Sequence, residues 1–129
     1  MHIPYITALY AGQLGLIAIA IAFLAGSTRG RLNVSLGDGG HTELLLAMRR
    51  HANFVEWVPL ALILIAVLEM DGVSSRAIHS LGGVLVVSRI LHAIGIKSDS
   101  MKSIARLLGA SGTALVTLVA SVWAIALHF

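Results

Sequence analysis

The sequence predicts an all-α integral membrane protein, a bundle of four transmembrane helices forming one domain, residues 1–129. Hydrophobic residues make up 57% of the chain and charged residues 12%, whereas soluble domains are about half apolar and about a quarter charged. A soluble core this small could not bury so many apolar side chains. Apolar stretches of roughly 18 residues or more indicate spans, since about 20 helical residues cross the hydrocarbon core.

Three of the predicted spans are apolar stretches with few charges. Span one is predicted at about 4–25, span three at about 78–96 and span four at about 104–127. Small residues recur at helical spacing in spans one and four: Ala8 and Gly12, Ala11 and Gly15, and Ala105, Gly109 and Thr113. Such residues let membrane helices approach closely, so we expect tight packing within the chain, with an oligomer contact as the alternative.

Span two differs because its uncharged run, Trp57–Leu68, is too short to cross a bilayer. No glycine or proline interrupts Thr42–Val58, so one helix is predicted over about 41–70. Its length, roughly 45 Å at about 1.5 Å per residue, exceeds the hydrocarbon thickness, and its first turns should project from it. Pro59 removes one backbone hydrogen bond and is expected to kink the helix.

Basic residues concentrate beside loop one, predicted at 26–40, and loop three, predicted at 97–103, whereas loop two is predicted at 69–75. Seven lie in or next to loops one and three: Arg29, Arg31, Arg49, Arg50, Lys97, Lys102 and Arg106. Only Arg76 lies near loop two. Cytoplasmic loops carry excess Lys and Arg, so loops one and three are predicted to be cytoplasmic and both termini outside. Charges spread beside apolar runs do not indicate nucleic-acid binding.

Span two carries a cluster of polar residues. Arg49, Asn53 and Glu56 are spaced four and three apart, which places them on one helix face, whereas His51 and Trp57 are predicted to point elsewhere. Charges inside a membrane are costly and usually face a cavity or a partner. A guanidinium suits a carboxylate, an amide hydrogen-bonds an amide, and a carboxylate receives an ammonium group, so a zwitterionic peptide-like ligand would use all three. The alternative is a structural ion-pair network between helices.

Other polar residues complete the predicted pocket. Arg89 is a candidate partner of Glu56, and Arg106 begins span four on the same membrane side. His92 shares a face with Arg89, and an interior hydrogen-bonded histidine is expected there. The six histidines include no pair four apart on one helix, so no metal site is predicted. The chain has no cysteine, so any thiol chemistry must come from a ligand.

The segment Arg49–Leu60 resembles the signature of the MAPEG family, the membrane-associated proteins in eicosanoid and glutathione metabolism. The shared pattern is Arg, three residues, Asn, two residues, Glu, two residues and Pro, early in the second of four spans. Length, span number and the polar first loop also match, and Val34–His41 is similar to the small bacterial members. The resemblance covers essentially the whole chain. It implies a homotrimer in a bacterial inner membrane, with glutathione held between subunits at the cytoplasmic side.

The resemblance also implies roles for individual residues. Glutathione would be bound by Arg31, Arg49, His51, Asn53, Glu56, Arg89 and His92. Arg31 matches an arginine near the glycyl carboxylate, and Arg106 matches the catalytic arginine that stabilises the glutathione thiolate. Trp57, His92 and Ile96 stand where the better-studied enzymes often have tyrosines, although His92 can still donate a hydrogen bond.

The predicted function is that of a glutathione transferase or peroxidase. A positioned thiolate would attack a lipophilic electrophile or hydroperoxide that arrives from the bilayer. One alternative is a non-catalytic lipid-binding, ligand-binding or scaffold protein of the same fold, because a fold does not fix a function. Another is a small multidrug transporter, but those proteins typically carry their membrane carboxylate in span one, where this chain has Gln13 and no acid.

Overall fold

The computed structural model describes residues 2–97 and 103–129. Those residues form four α-helices: α1 Tyr5–Leu32, α2 Thr42–Met70, α3 Ser75–Gly95 and α4 Ile104–His128. Each helix is long and apolar enough to cross a membrane, and the described part of the chain contains no β-strand. The predicted all-α bundle of four membrane helices is therefore confirmed.

Helix α1 is longer than the span that the sequence predicts. It continues through Gly26 and Gly30 to Leu32, so the prediction that loop one begins at Gly26 was wrong. The helix ends where Asn33 adopts a left-handed φ of 54° and donates its backbone N–H to the carbonyl oxygen of Gly30. Arginines in the last turn suit the negative end of the helix dipole, which helps the helix to persist beyond its apolar part.

The closest helix packing joins α3 and α4. Gly109 lies so near the α3 backbone at Ser88 and His92 that a Cβ atom there would overlap it. Gly95 makes the same kind of approach to the α4 backbone at Arg106. The small residues predicted to allow tight packing in span four do so within the chain. On α1, by contrast, a Cβ atom at Gly12 would meet no described atom within 4 Å.

The apolar core takes side chains from all four helices. Its buried members are Leu14, Ile21, Phe54, Val58, Ala61, Ile65, Leu68, Ile78, Leu85, Val116 and Ala120. Pro59 lies inside α2, which is assigned as one helix through it. The long helix predicted for span two is thus present, and it places its polar first half beside α3 and α4.

The end of α2 fixes the start of α1. Pro4 precedes α1 and provides no side-chain cap. The buried carboxylate of Glu69 accepts hydrogen bonds from the backbone N–H of Ile6 (2.8 Å), the N–H of Thr7 (2.7 Å) and the Thr7 hydroxyl (2.6 Å). It satisfies amides that a helix start leaves unpaired and places negative charge at the positive helix end. Because α2 continues to Met70, Glu69 belongs to the helix predicted at about 41–70, and its assignment to loop two was wrong.

Candidate functional site

A cavity of about 260 Å³ lies between α2, α3 and α4, on the loop-three side of the bundle. Its lining comprises Asn53, Trp57, Arg89, His92, Arg106, Ala110 and Thr113. Two of these side chains are guanidinium groups, and none of the described residues that line the cavity carries a carboxylate. The cavity therefore suits an anionic group, since guanidinium donors match carboxylates and other anions.

Arg89 is the most deeply buried charged side chain in this cavity, with 1% of its surface exposed. One terminal nitrogen donates to Asn53 Oδ1 (2.7 Å), and it lies 3.3 Å from His92 Nδ1. The other donates to Thr113 Oγ1 at 3.3 Å, and the guanidinium lies 5.6 Å from the centroid of the Phe54 ring. Within the described residues its Nε has no hydrogen-bond partner. The guanidinium therefore contacts uncharged acceptors and forms no ion pair with a described carboxylate.

The prediction that Arg89 pairs with Glu56 was wrong, because Arg89 pairs with Asn53 instead. Asn53 and Glu56 are three residues apart and so differ by roughly 60° around the helix. Asn53 faces α3, which leaves Glu56 exposed on the outer side of α2. Neither of the ion pairs found among residues 2–97 and 103–129 includes Glu56.

Sequence interpretation missed three residues of the cavity. Trp57 was predicted to point elsewhere, yet it lies one turn after Asn53 and shares its side of α2. On α4, Ala110 and Thr113 follow Arg106 at spacings of four and three residues, which places all three on one face. That spacing was available in the sequence and marks the α4 wall of the cavity.

The remaining predicted site residues lie outside the cavity. Arg49 is exposed, as is Glu56, and His51 is half-buried on the same helix. Arg31 forms an ion pair with Glu43 at 2.6 Å, and both side chains are more than half exposed. The single subunit thus gathers Asn53, Arg89, His92 and Arg106 but leaves Arg49, Glu56, His51 and Arg31 outside.

The sequence model of the MAPEG family matches residues 7–126, and the chain belongs to this family. Its four long apolar helices make it an integral membrane protein of that family. Among curated proteins it is similar to the inner membrane protein YecN of Escherichia coli K12, with 37% identity over 90 residues, 70% of this chain and 69% of the relative. YecN of Escherichia coli O6:H1 matches equally well. No solved structure shows significant similarity to the chain.

Proposed function

We propose that this protein binds glutathione and directs its thiolate against lipophilic electrophiles or hydroperoxides. The observation that carries the proposal is the cavity that Arg89 and Arg106 both line, with no carboxylate among its described lining residues. A thiolate is the reactive form of a thiol, and a neighbouring cation favours it. The family, whose members act in glutathione and eicosanoid metabolism, supports glutathione as the source of the thiol.

Each cavity residue has a proposed role. Arg106 stabilises the thiolate and is the catalytic residue. Arg89 and Asn53, joined by their 2.7 Å hydrogen bond, form the polar wall that binds the ligand. His92 adds a ring nitrogen to the same wall, at a position where the better-studied enzymes of the family often have a tyrosine hydroxyl. Binding holds the sulfur beside the apolar second substrate, which lowers the barrier through proximity.

We propose that the working assembly is a homotrimer. Arg49 and Glu56 are exposed on a helix long and apolar enough to span the membrane, where an uncompensated charge is expensive. A neighbouring subunit and a bound glutathione would cover both residues. Arg49 would then pair with a glutathione carboxylate and Glu56 with its ammonium group, while His51 and Arg31 supply further polar contacts near the aqueous surface.

The chemistry balances for both substrate types. With an electrophile, the thiolate sulfur forms a bond to carbon, and the displaced electron pair leaves with a leaving group or is protonated by water. With a hydroperoxide, the sulfur attacks the outer oxygen, the oxygen–oxygen bond breaks, and the alkoxide takes a proton to become an alcohol. A second glutathione then displaces water from the sulfenic acid and gives the disulfide.

A non-catalytic ligand-binding or scaffold role is the second candidate, and one observation favours it. Among the described residues that line the cavity, Thr113 offers the single hydroxyl, and it already donates to the carbonyl oxygen of Gly109 at 2.8 Å. Trp57 and His92 supply no hydroxyl. A transporter is less well supported, because α1 contains no acidic residue, Glu56 lies in α2 instead, and the chain belongs to another family.

We place the protein in a bacterial inner membrane, as the name of its relative YecN indicates for that protein. The excess of Lys and Arg beside loops one and three supports a cytoplasmic position for these loops and for the glutathione site. Glutathione is abundant in the cytoplasm, whereas apolar second substrates reach the site through the lipid.

The first experiment measures glutathione binding to the detergent-purified protein by calorimetry. Arg49→Ala, Glu56→Gln and Arg106→Ala are compared with Arg76→Ala, a matched control at the opposite membrane end. Loss of one charge-assisted hydrogen bond is expected to weaken binding about tenfold or more, while the control binds as the native protein does.

Turnover separates the two candidate functions. Arg106→Ala should abolish conjugation and hydroperoxide reduction in an assembly that remains intact. Saturable binding without any turnover across a panel of electrophiles and hydroperoxides would favour the non-catalytic role. No binding by well-folded protein at millimolar glutathione would refute glutathione as the ligand.

A further inference from the structure

A second arginine of α2, Arg50, lies at a different place in the bundle. Its Nε donates to the carbonyl oxygen of Ala93 at 3.0 Å, and one terminal nitrogen donates to the carbonyl oxygen of Ile96. Ala93 lies in the last turn of α3 and Ile96 is the residue that follows the helix, at the end where a helix leaves its carbonyl oxygens without partners. Arg50 therefore caps the C-terminal end of α3, and its half-buried guanidinium is held at that end of the helix.

The Arg50 side chain also borders an open groove of about 530 Å³ between α1 and α3. The α1 wall includes Ile17, Ile21 and Leu24, and the α3 wall includes Ile94. Leu24 is 45% exposed and Ile94 is 58% exposed, so the groove opens to the outside of the bundle. It shares no lining residue with the Arg89 cavity and forms a separate site.

The charge on the described residues that line the groove is positive only. Among the described residues that line the groove, all but Arg50 are apolar and none carries a carboxylate. Arg50 forms no ion pair with any residue in the described ranges, 2–97 and 103–129. Lys97 is exposed and directly follows Ile96, whose carbonyl oxygen Arg50 contacts. Arg50 thus lines the apolar groove, and Lys97 is the residue next to the one whose carbonyl oxygen Arg50 contacts.

We propose that this groove binds an anionic phospholipid. Its phosphate pairs with Arg50 and Lys97, and one acyl chain lies along the groove between α1 and α3. Basic residues at the cytoplasmic ends of membrane helices attract anionic headgroups, with an effect of roughly fivefold in affinity for each cation. A zwitterionic lipid fills the apolar part equally well but adds no net attraction to the two cations. The site is therefore selective for headgroup charge.

The test titrates the purified protein with phosphatidylglycerol, phosphatidylcholine or oleic acid and counts bound lipids by native mass spectrometry. Lys97→Gln removes one cation without touching the bonds to α3. Ala20→Trp fills the groove and keeps both charges. Arg76→Gln is the control, because this arginine lies at the other end of the bundle. Circular dichroism confirms that each variant is folded.

Phosphatidylglycerol should bind more tightly than phosphatidylcholine. Lys97→Gln should weaken the binding of phosphatidylglycerol about fivefold and leave the binding of phosphatidylcholine unchanged. Ala20→Trp should weaken the binding of both lipids. Equal affinity for the two lipids, or no effect of Lys97→Gln, would overturn the proposal. Oleic acid binding above phosphatidylglycerol would overturn the phospholipid assignment. Ala20→Trp could instead change the oligomeric state and leave lipid binding unchanged. That result would assign the groove to a second copy of the chain and would also overturn the lipid proposal.

Discussion

Replacement of Arg89 by methionine distinguishes a ligand site from a structural network between helices. Methionine keeps much of the side-chain volume and removes the charge and all donors. Arg89 contacts only uncharged groups in the described structure, so its removal leaves no buried carboxylate without a partner. A structural ion pair would behave differently, since loss of one partner of a buried pair typically costs about 3–5 kcal/mol.

The expected free-energy change follows from the contacts. The 2.7 Å hydrogen bond to Asn53 is charge-assisted and contributes about 1.5–3 kcal/mol, and the two contacts at 3.3 Å contribute less. The Phe54 ring adds about 2 kcal/mol at most. Two costs oppose these gains. Burial of an uncompensated charge costs several kcal/mol, and the Arg89 Nε has no hydrogen-bond partner among the described residues. The terms oppose one another and are similar in size. We expect unfolding free energies of Arg89→Met and the native protein to agree within about 1 kcal/mol.

Two measurements on the same preparations check this expectation. Equilibrium unfolding in mixed micelles, followed by circular dichroism, gives the stability of Arg89→Met beside the control Arg76→Met. Calorimetry gives glutathione affinity, which should fall about tenfold or more in Arg89→Met alone. A loss of more than about 3 kcal/mol in stability with unchanged glutathione affinity would refute the reasoning and identify Arg89 as part of a structural network.

Three further substitutions test contacts that hold the helices. Glu69→Ala leaves the first amides of α1 without an acceptor, so it should lower the free energy of unfolding by about 2–4 kcal/mol. Amide hydrogen exchange at the start of α1 should become faster, and unchanged exchange would contradict the capping role of Glu69. Gly109→Val forces α4 away from α3 and should cost about 1–3 kcal/mol in thermal unfolding, whereas Ala114→Val on the exposed side of α4 should be tolerated. Arg50→Gln removes two hydrogen bonds to the end of α3 and should lower the free energy of unfolding by about 2 kcal/mol. Proteolysis at that end should become faster, and an unchanged rate would contradict the role of Arg50 in capping α3.

The four helices could be predicted because membrane spans depend on length and composition, which any window of the sequence reveals. Span two could be predicted as one long helix despite its charges, because nothing before Pro59 interrupts it. The end of α1 could not be placed, since Gly26 and Gly30 are typical of loops and yet are tolerated in a helix. There the apolar pattern stops before the helix does.

The partners of the site residues depend on how the helices are rotated against one another. Glu56 and Trp57 lie on opposite sides of Asn53 around α2, and one sequence does not say which side faces α3. Packing of Phe54 and Val58 into the core fixes that rotation, so Trp57 reaches the cavity and Glu56 remains outside. For the same reason, the bond from Arg89 to Asn53 required the structure.

The charged residues of the bundle fall into two groups by how their charge is compensated. Glu69 lies at the positive end of α1 and Arg50 at the negative end of α3, so each is stabilised by a helix terminus within one subunit. Arg89 and Arg106 instead line a cavity to which no described residue contributes a carboxylate. Loss of Glu69 or Arg50 should therefore cost stability first. Loss of Arg89 or Arg106 should cost ligand binding first, because under the proposed function glutathione would supply the missing negative charge.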